Sequence, residues 1–121
     1  MTMRLTLVLG CLIVGVSAQS APVAVIVLDC RVHAAKPGFE RNGVRRLQLD
    51  LAAKSFTVSD NTGKGFTVRG TRPIVSVDGD RIVLENSGGK TSSVDRRSGQ
   101  YVFRNEAEKL AIHGRCAPAG R

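Results

Sequence analysis

Between residues 73 and 104, apolar and polar residues alternate, broken at Asp78-Gly79-Asp80, Ser87-Gly88-Gly89 and Arg97-Ser98-Gly99. Each break offers a residue that tolerates positive φ, and each lies between β-branched or aromatic runs, the pattern of tight hairpins. Alternation with a period of two does not suit a helix, whose faces repeat about every 3.6 residues. The stretch therefore predicts a β-meander with strands over residues 74–77, 81–85, 91–95 and 100–104. Ser92 and Ser93 weaken the third strand, which is expected at an edge or as a short strand.

The flanking chain continues in the same style. Leu47, Leu49 and Leu51 share one face of a strand over residues 44–51, while Arg46, Gln48 and Asp50 share the other. One side packs and the other is wet, as in an antiparallel sheet. Residues 24–33 read as a strand that is apolar on both faces at first and on one face later. Phe56 and Val58, then Phe66 and Val68, mark two more, and residues 110–116 the last. Residues 34–42, with Pro37-Gly38, predict a loop, and Asn42-Gly43 a turn. Residues 70–72 read as a connection, and 105–109 as one helical turn or a wider loop. About eight short strands predict an all-β fold, a small antiparallel meander closing into a barrel or sandwich.

Residues 1–18 read as a signal peptide. Arg4 precedes an apolar run over residues 5–16, and Val16-Ser17-Ala18 is a small-x-small cleavage site. The run is shorter than the roughly 20 apolar residues that span a bilayer. Gln19, Ser20 and Pro22 interrupt its extension as an anchor, and an apolar run past Cys11 opposes a lipoprotein reading. Residues 19–121 then form one domain, without a membrane span after cleavage, placed in the periplasm or outside a bacterium. Its aromatic residues are four Phe and Tyr101, with no Trp, so the core must be mostly Val, Leu and Ile.

Loss of Cys11 leaves Cys30 and Cys116, expected to form one disulfide in an exported chain, with two buried thiols as the alternative. If the first and last strands pair antiparallel with Cys30 opposite Cys116, the constant index sum sets Arg31 opposite Arg115 and His33 opposite His113. The histidine Cβ atoms would then lie within about 5.5 Å. Zinc needs three or four ligands and the flanking arginines repel cations, so two ordinary surface histidines are the competing reading and no metal is expected. A bridge between two sheets of a sandwich would break this register.

Other motifs dissolve on inspection. Gly89-Lys90-Thr91 resembles the end of a phosphate-binding loop, but Leu84 stands where its first glycine belongs and a strand follows instead of a helix. Asp78-Gly79-Asp80 lacks the further oxygen ligands of a calcium loop. No serine lies in a recognisable nucleophile arrangement, and no cofactor is expected.

The formal net charge is +8, or +7 once Arg4 is removed. Arg45, Arg46, Arg69, Arg72, Arg96 and Arg97 are the candidate polyanion-binding residues, should they share a face. Scarcity of aromatics argues against nucleic acid, whose single strands stack on aromatic platforms.

Residues 47–54 (LQLDLAAK), Arg81-Ile82-Val83-Leu84, residues 95–101 (DRRSGQY) and Gly114-Arg115-Cys116-Ala117-Pro118 together resemble small exported proteins of alphaproteobacteria, sphingomonads in particular. Ser98 stands where threonine is commoner in that group, and the extra cysteine pair of some members is missing. The resemblance implies a periplasmic β-protein and carries no activity. Small β-barrel inhibitors of C-type lysozymes are similar in size and export, without the aromatic-rich motifs here, and a cationic chain is a poor partner for a cationic enzyme.

The expectation is an exported, non-enzymatic β-barrel binding module for an anionic cell-envelope polymer or an envelope protein. The alternative is an inhibitor or accessory protein of a cell-wall hydrolase, acting through a hairpin tip at residues 87–90 or 96–99. Enzymatic activity ranks third, with His33 and His113 as its acid–base pair. Amino-terminal sequencing of the exported protein is expected to begin at Gln19; a start at Met1 would refute the leader.

Overall fold

The computed structural model describes residues 25–61 and 63–119; the expected leader, residues 1–18, lies outside the described residues. Nine strands follow one another: β1 (Val25–Lys36), β2 (Phe39–Asp50), β3 (Ser55–Asn61), β4 (Phe66–Pro73), β5 (Ser76–Asp78), β6 (Arg81–Ser87), β7 (Lys90–Asp95), β8 (Gln100–Asn105) and β9 (Leu110–Pro118). They form one antiparallel sheet in the order β4-β3-β2-β1-β9-β8-β7-β6-β5. Each strand pairs with its chain neighbour except at the step from β4 to β5. The ladder between β1 and β9 joins the two halves of the meander instead, and the sheet curls around one core.

That ladder has the register the cysteines imply. Cys30 opposes Cys116, Arg31 opposes Arg115 and His33 opposes His113. The disulfide joins Cys30 and Cys116 across adjacent strands of one sheet, with Cα atoms 3.8 Å apart. In the chain-entropy description, closing a loop of this length (86 residues of separation) contributes about 4–5 kcal/mol.

Alternation decides what the curl encloses. Leu47 and Leu49 are fully buried, joined by Leu28, Phe56, Ile82, Leu84, Val94, Tyr101 and Ile112. Burying one such side chain is worth about 1.5–3 kcal/mol, so this cluster drives the curl. Toward one end the inward rows become polar. Arg45 follows Leu49 and Leu47 on β2, Asp60 follows Phe56 and Val58 on β3, and Asn105 follows Tyr101 and Phe103 on β8. The β1–β2, β3–β4, β6–β7 and β8–β9 turns surround this polar end, and the β2–β3, β5–β6 and β7–β8 turns surround the other.

Four local expectations are corrected. Residues 34–42 are not a loop: β1 and β2 run on to a turn at Pro37-Gly38, pairing Ala34 with Arg41 and Lys36 with Phe39. Lys36 and Arg41 flank the Phe39 ring at 5.7 and 5.6 Å, which supports this arm beyond the core. Asn42-Gly43 accordingly lies within β2. Residues 70–72 belong to β4. Strand β7 is short, six residues, but internal, between β6 and β8, with Ser92 buried and paired with Phe103 on one side and Glu85 on the other. Residues 106–109 form a turn, held where Glu106 N–H donates to Gly89 O at 2.9 Å.

At the step from β4 to β5 the chain changes partner. Ile74 N–H donates to Lys54 O at 2.7 Å and Val75 N–H donates to Val83 O at 2.9 Å. Residues 66–78 thus make one bent run, pairing with β3 in its first half and with β6 in its second. The edges of β4 and β6 are tied at the bend and part toward the polar end, leaving a seam.

The β7–β8 turn is anchored to the disulfide. Asp95 accepts from the N–H groups of Arg97 and Ser98 at 2.8 and 3.0 Å, and these bonds hold its carboxyl below the ordinary carboxylate value. Cys116 N–H donates to Gly99 O at 2.6 Å. Gly99 has φ +81°, and a Cβ there would lie 2.5 Å from Cys116 O, whereas Gly79, at φ +63°, faces open space. Gly99→Ala is expected to cost about 2–4 kcal/mol in denaturant unfolding, against about 1 kcal/mol for Gly79→Ala. Equal costs would show that the turn does not clamp β9.

Candidate functional site

On β2 the parity that buries Leu47 and Leu49 also points Arg45 inward. Asp60 lies opposite it on β3. The guanidinium donates to both Asp60 oxygens, Nε to Oδ1 at 2.7 Å and Nη2 to Oδ2 at 2.9 Å, and Nη1 donates to the Tyr101 hydroxyl at 3.1 Å. It also faces the Phe103 ring at 5.8 Å. The side chains of Arg45 and Asp60 are only 15% and 20% exposed, so water does little to screen them. Desolvation of the guanidinium opposes its charge, but Asp60 and Tyr101 outweigh it and raise the Arg45 pKa. Burial likewise raises Tyr101 above the ordinary phenol value, against the lowering effect of Arg45.

The seam opens above this pair as a cleft of about 190 Å³. Phe56, Val58 and Phe103 supply apolar lining, while Arg69, Arg72, Glu85 and Lys90 contribute charge. Arg72 Nη1 donates to Glu85 Oε2 at 3.1 Å across the seam. Arg69 Nε stands 3.8 Å from Asp60 Oδ2 and is 65% exposed. Four cations (Arg45, Arg69, Arg72 and Lys90) thus stand around two carboxylates, Asp60 and Glu85. A second hollow of about 270 Å³, bordered by Phe39 and Arg41, shares Arg45 and Arg69 with the first.

Gly70 lines the cleft opposite Val58. Its φ lies outside the left-handed region, and a Cβ placed there would meet nothing within 4 Å. Neither conformation nor crowding calls for glycine at this position. Its effect is to leave the cleft open.

The six candidate arginines do not share one face. Arg45, Arg69 and Arg72 line the cleft. Arg46 lies on the outer wall, chelated by Asp29 at 2.7 and 3.1 Å and 4.1 Å from the Phe66 ring centroid. Its hydrogen bonds to Asp29 raise its pKa. Arg96 and Arg97 are exposed in the β7–β8 turn, at the end away from the polar mouth. His33 and His113 are opposed and exposed, but both ring nitrogens of His33 are occupied from β2, by Asn42 Oδ1 at 2.8 Å and Glu40 Oε1 at 3.1 Å. Among the described residues, no three His, Cys, Asp or Glu side chains gather where they could hold a metal ion.

Asp60, Gly70, Glu85, Tyr101 and Phe103 are site residues not foreseen from the sequence. Extending the Leu47–Leu49 parity by two would have placed Arg45 inside, and the Phe56–Val58 parity would have done the same for Asp60. Comparisons with protein-family models, curated proteins and solved structures find no match for the chain.

Two outcomes test the pair beneath the cleft. Asp60→Ala leaves a buried guanidinium without its carboxylate and is expected to cost about 3 kcal/mol in denaturant unfolding. Tyr101 is raised from the ordinary 10.0, so its stabilising protonation is complete below pH 10 and is lost as the pH rises through the folded value. Near-ultraviolet absorbance of tyrosinate should therefore appear only above pH 10, together with unfolding. Tyrosinate formed at pH 10 in the folded protein would place the ring in water.

Proposed function

We propose that this chain is an exported, non-enzymatic binding module, periplasmic or secreted by a bacterium, whose seam cleft receives an anionic group of a cell-envelope ligand. The open position at Gly70, beside four cations and over an apolar floor, carries the reading. Arg45 is fixed in place by Asp60 and Tyr101, so it meets a carboxylate or phosphate without first being ordered, and preorganisation of this kind strengthens binding. Arg69, Arg72 and Lys90 stand nearer to water and attract the anion before it docks. Aromatic and aliphatic side chains below them take up the carbon skeleton that bears the charge. The disulfide suits an oxidising compartment.

Tyr101 is the one tyrosine in a chain without tryptophan, and it touches Arg45. Its fluorescence therefore reports what reaches the cleft. Titration of the exported protein with an oligogalacturonate and with a lipopolysaccharide is expected to change that signal, with affinity falling as salt rises. Gly70→Val fills the cleft with a residue suited to strands and should weaken binding at least about tenfold without lowering the unfolding midpoint. The double change Arg96→Ala and Arg97→Ala should leave affinity unchanged. Binding lost in that double variant and kept in Gly70→Val would move the site to the β7–β8 turn and overturn the reading.

A further inference from the structure

Among the described residues, strand β4 has a hydrogen-bonded neighbour on one side only, and so does β5. Exposed edges invite unwanted pairing, and proteins usually blunt them with charge, bulges or proline. The run from β4 to β5 carries all three, yet it also exposes Phe66, Val68, Val75 and Val77, four of the six large apolar residues exposed among those described. Val68 is 65% exposed. An edge that is both guarded and apolar suits selective pairing.

The register shows which partner the guards admit. Gly70 and Arg72 oppose the inward residues Val58 and Phe56, while Phe66, Val68 and Thr71 oppose Asn61, Ser59 and Thr57 on the outer face. Arg69 is the extra residue of a bulge between them. A strand laid beside β4 would place alternate side chains into the cleft, next to Gly70, Arg72 and Lys90, and the others beside Val68 on the outside. Inward acidic residues meet the cations there. A second copy of this chain would instead bring Arg69 and Arg72 of both copies together, and like charges across a ladder are unfavourable.

We infer that the ligand of the seam is an extended acidic polypeptide segment of a partner protein, with acidic and apolar residues alternating, which adds to the free edge of β4. The inference rests on the cleft reading above and names its ligand class. The sheet supplies backbone hydrogen bonds for affinity and the cleft supplies selection for acid at alternate positions, the division of labour of strand addition. Pro73 has no N–H, so the added ladder ends there.

The test uses the exported protein and a capped peptide of alternating glutamate and valine, matched to the eight residues of β4. Two control peptides replace every glutamate by glutamine or every valine by proline. The parent peptide is expected to bind and to slow amide hydrogen exchange along residues 66–72. The glutamine peptide should bind at least about tenfold more weakly, and the proline peptide, which keeps the charge but loses N–H donors, should do the same. A proline peptide that binds as well as the parent, or β4 amides that exchange at an unchanged rate in the complex, would overturn strand addition. Oligogalacturonate binding without peptide binding would keep the cleft reading and overturn this one, whereas binding of neither would overturn both. Protection of β4 that grows with protein concentration alone, with a dimeric mass, would assign the edge to a second copy.

Discussion

The pairing of β1 with β9 is the contact on which the rest depends. A meander of nine strands has two free ends, and its chain order alone would leave β1 and β9 as outer edges. Their ladder brings them into the middle of the sheet and moves the opening to the step between β4 and β5. Cys30 and Cys116 bond across that ladder, and the Gly99 carbonyl accepts from the Cys116 N–H, so the β7–β8 turn closes over the same spot. The disulfide is therefore a tie between the two halves of the domain, and the place where the sheet stays open follows from where it is tied.

The interior is divided along the strands. At one end, aliphatic residues with Phe56 and Tyr101 exclude water; at the other, the same inward rows carry Arg45, Asp60 and Asn105. A buried guanidinium is tolerable only when its donors are satisfied, and the bidentate carboxylate with the Tyr101 hydroxyl meets that need. An apolar isostere at this pair would be no less stable in principle. What the ion pair adds is a rigid cation under the seam, held by the core itself.

The seam and the cleft are one feature. Residues 66–78 pair first with β3 and then with β6, so the two edges converge at Ile74 and diverge beyond it. Arg72 and Glu85 bridge the divergence, and Gly70 leaves it unfilled. Exposed valines on the same run and cations beside it give this part of the surface both apolar and electrostatic character.

Strand periodicity and turn chemistry were legible in the residues themselves, because a period of two and the glycines at 79, 88 and 99 are local properties of the chain. The cysteine register was legible too, since one pair in opposed strands sets the index sum for the whole ladder. Strand ends were less so: residues 34–42, with Pro37-Gly38 and mixed charges, read as loop because only a partner strand and the Phe39 ring show them to be paired. Ser92 and Ser93 read as marking an edge or a short strand, and that β7 is internal follows only from its pairing with β6 and β8. By itself the sequence determined an all-β chain with alternating faces and two cysteines whose pairing aligns its ends. Only the tertiary structure decided that three arginines meet in one cleft while Arg46, Arg96 and Arg97 lie elsewhere, because convergence depends on which strands become neighbours and where the sheet fails to close.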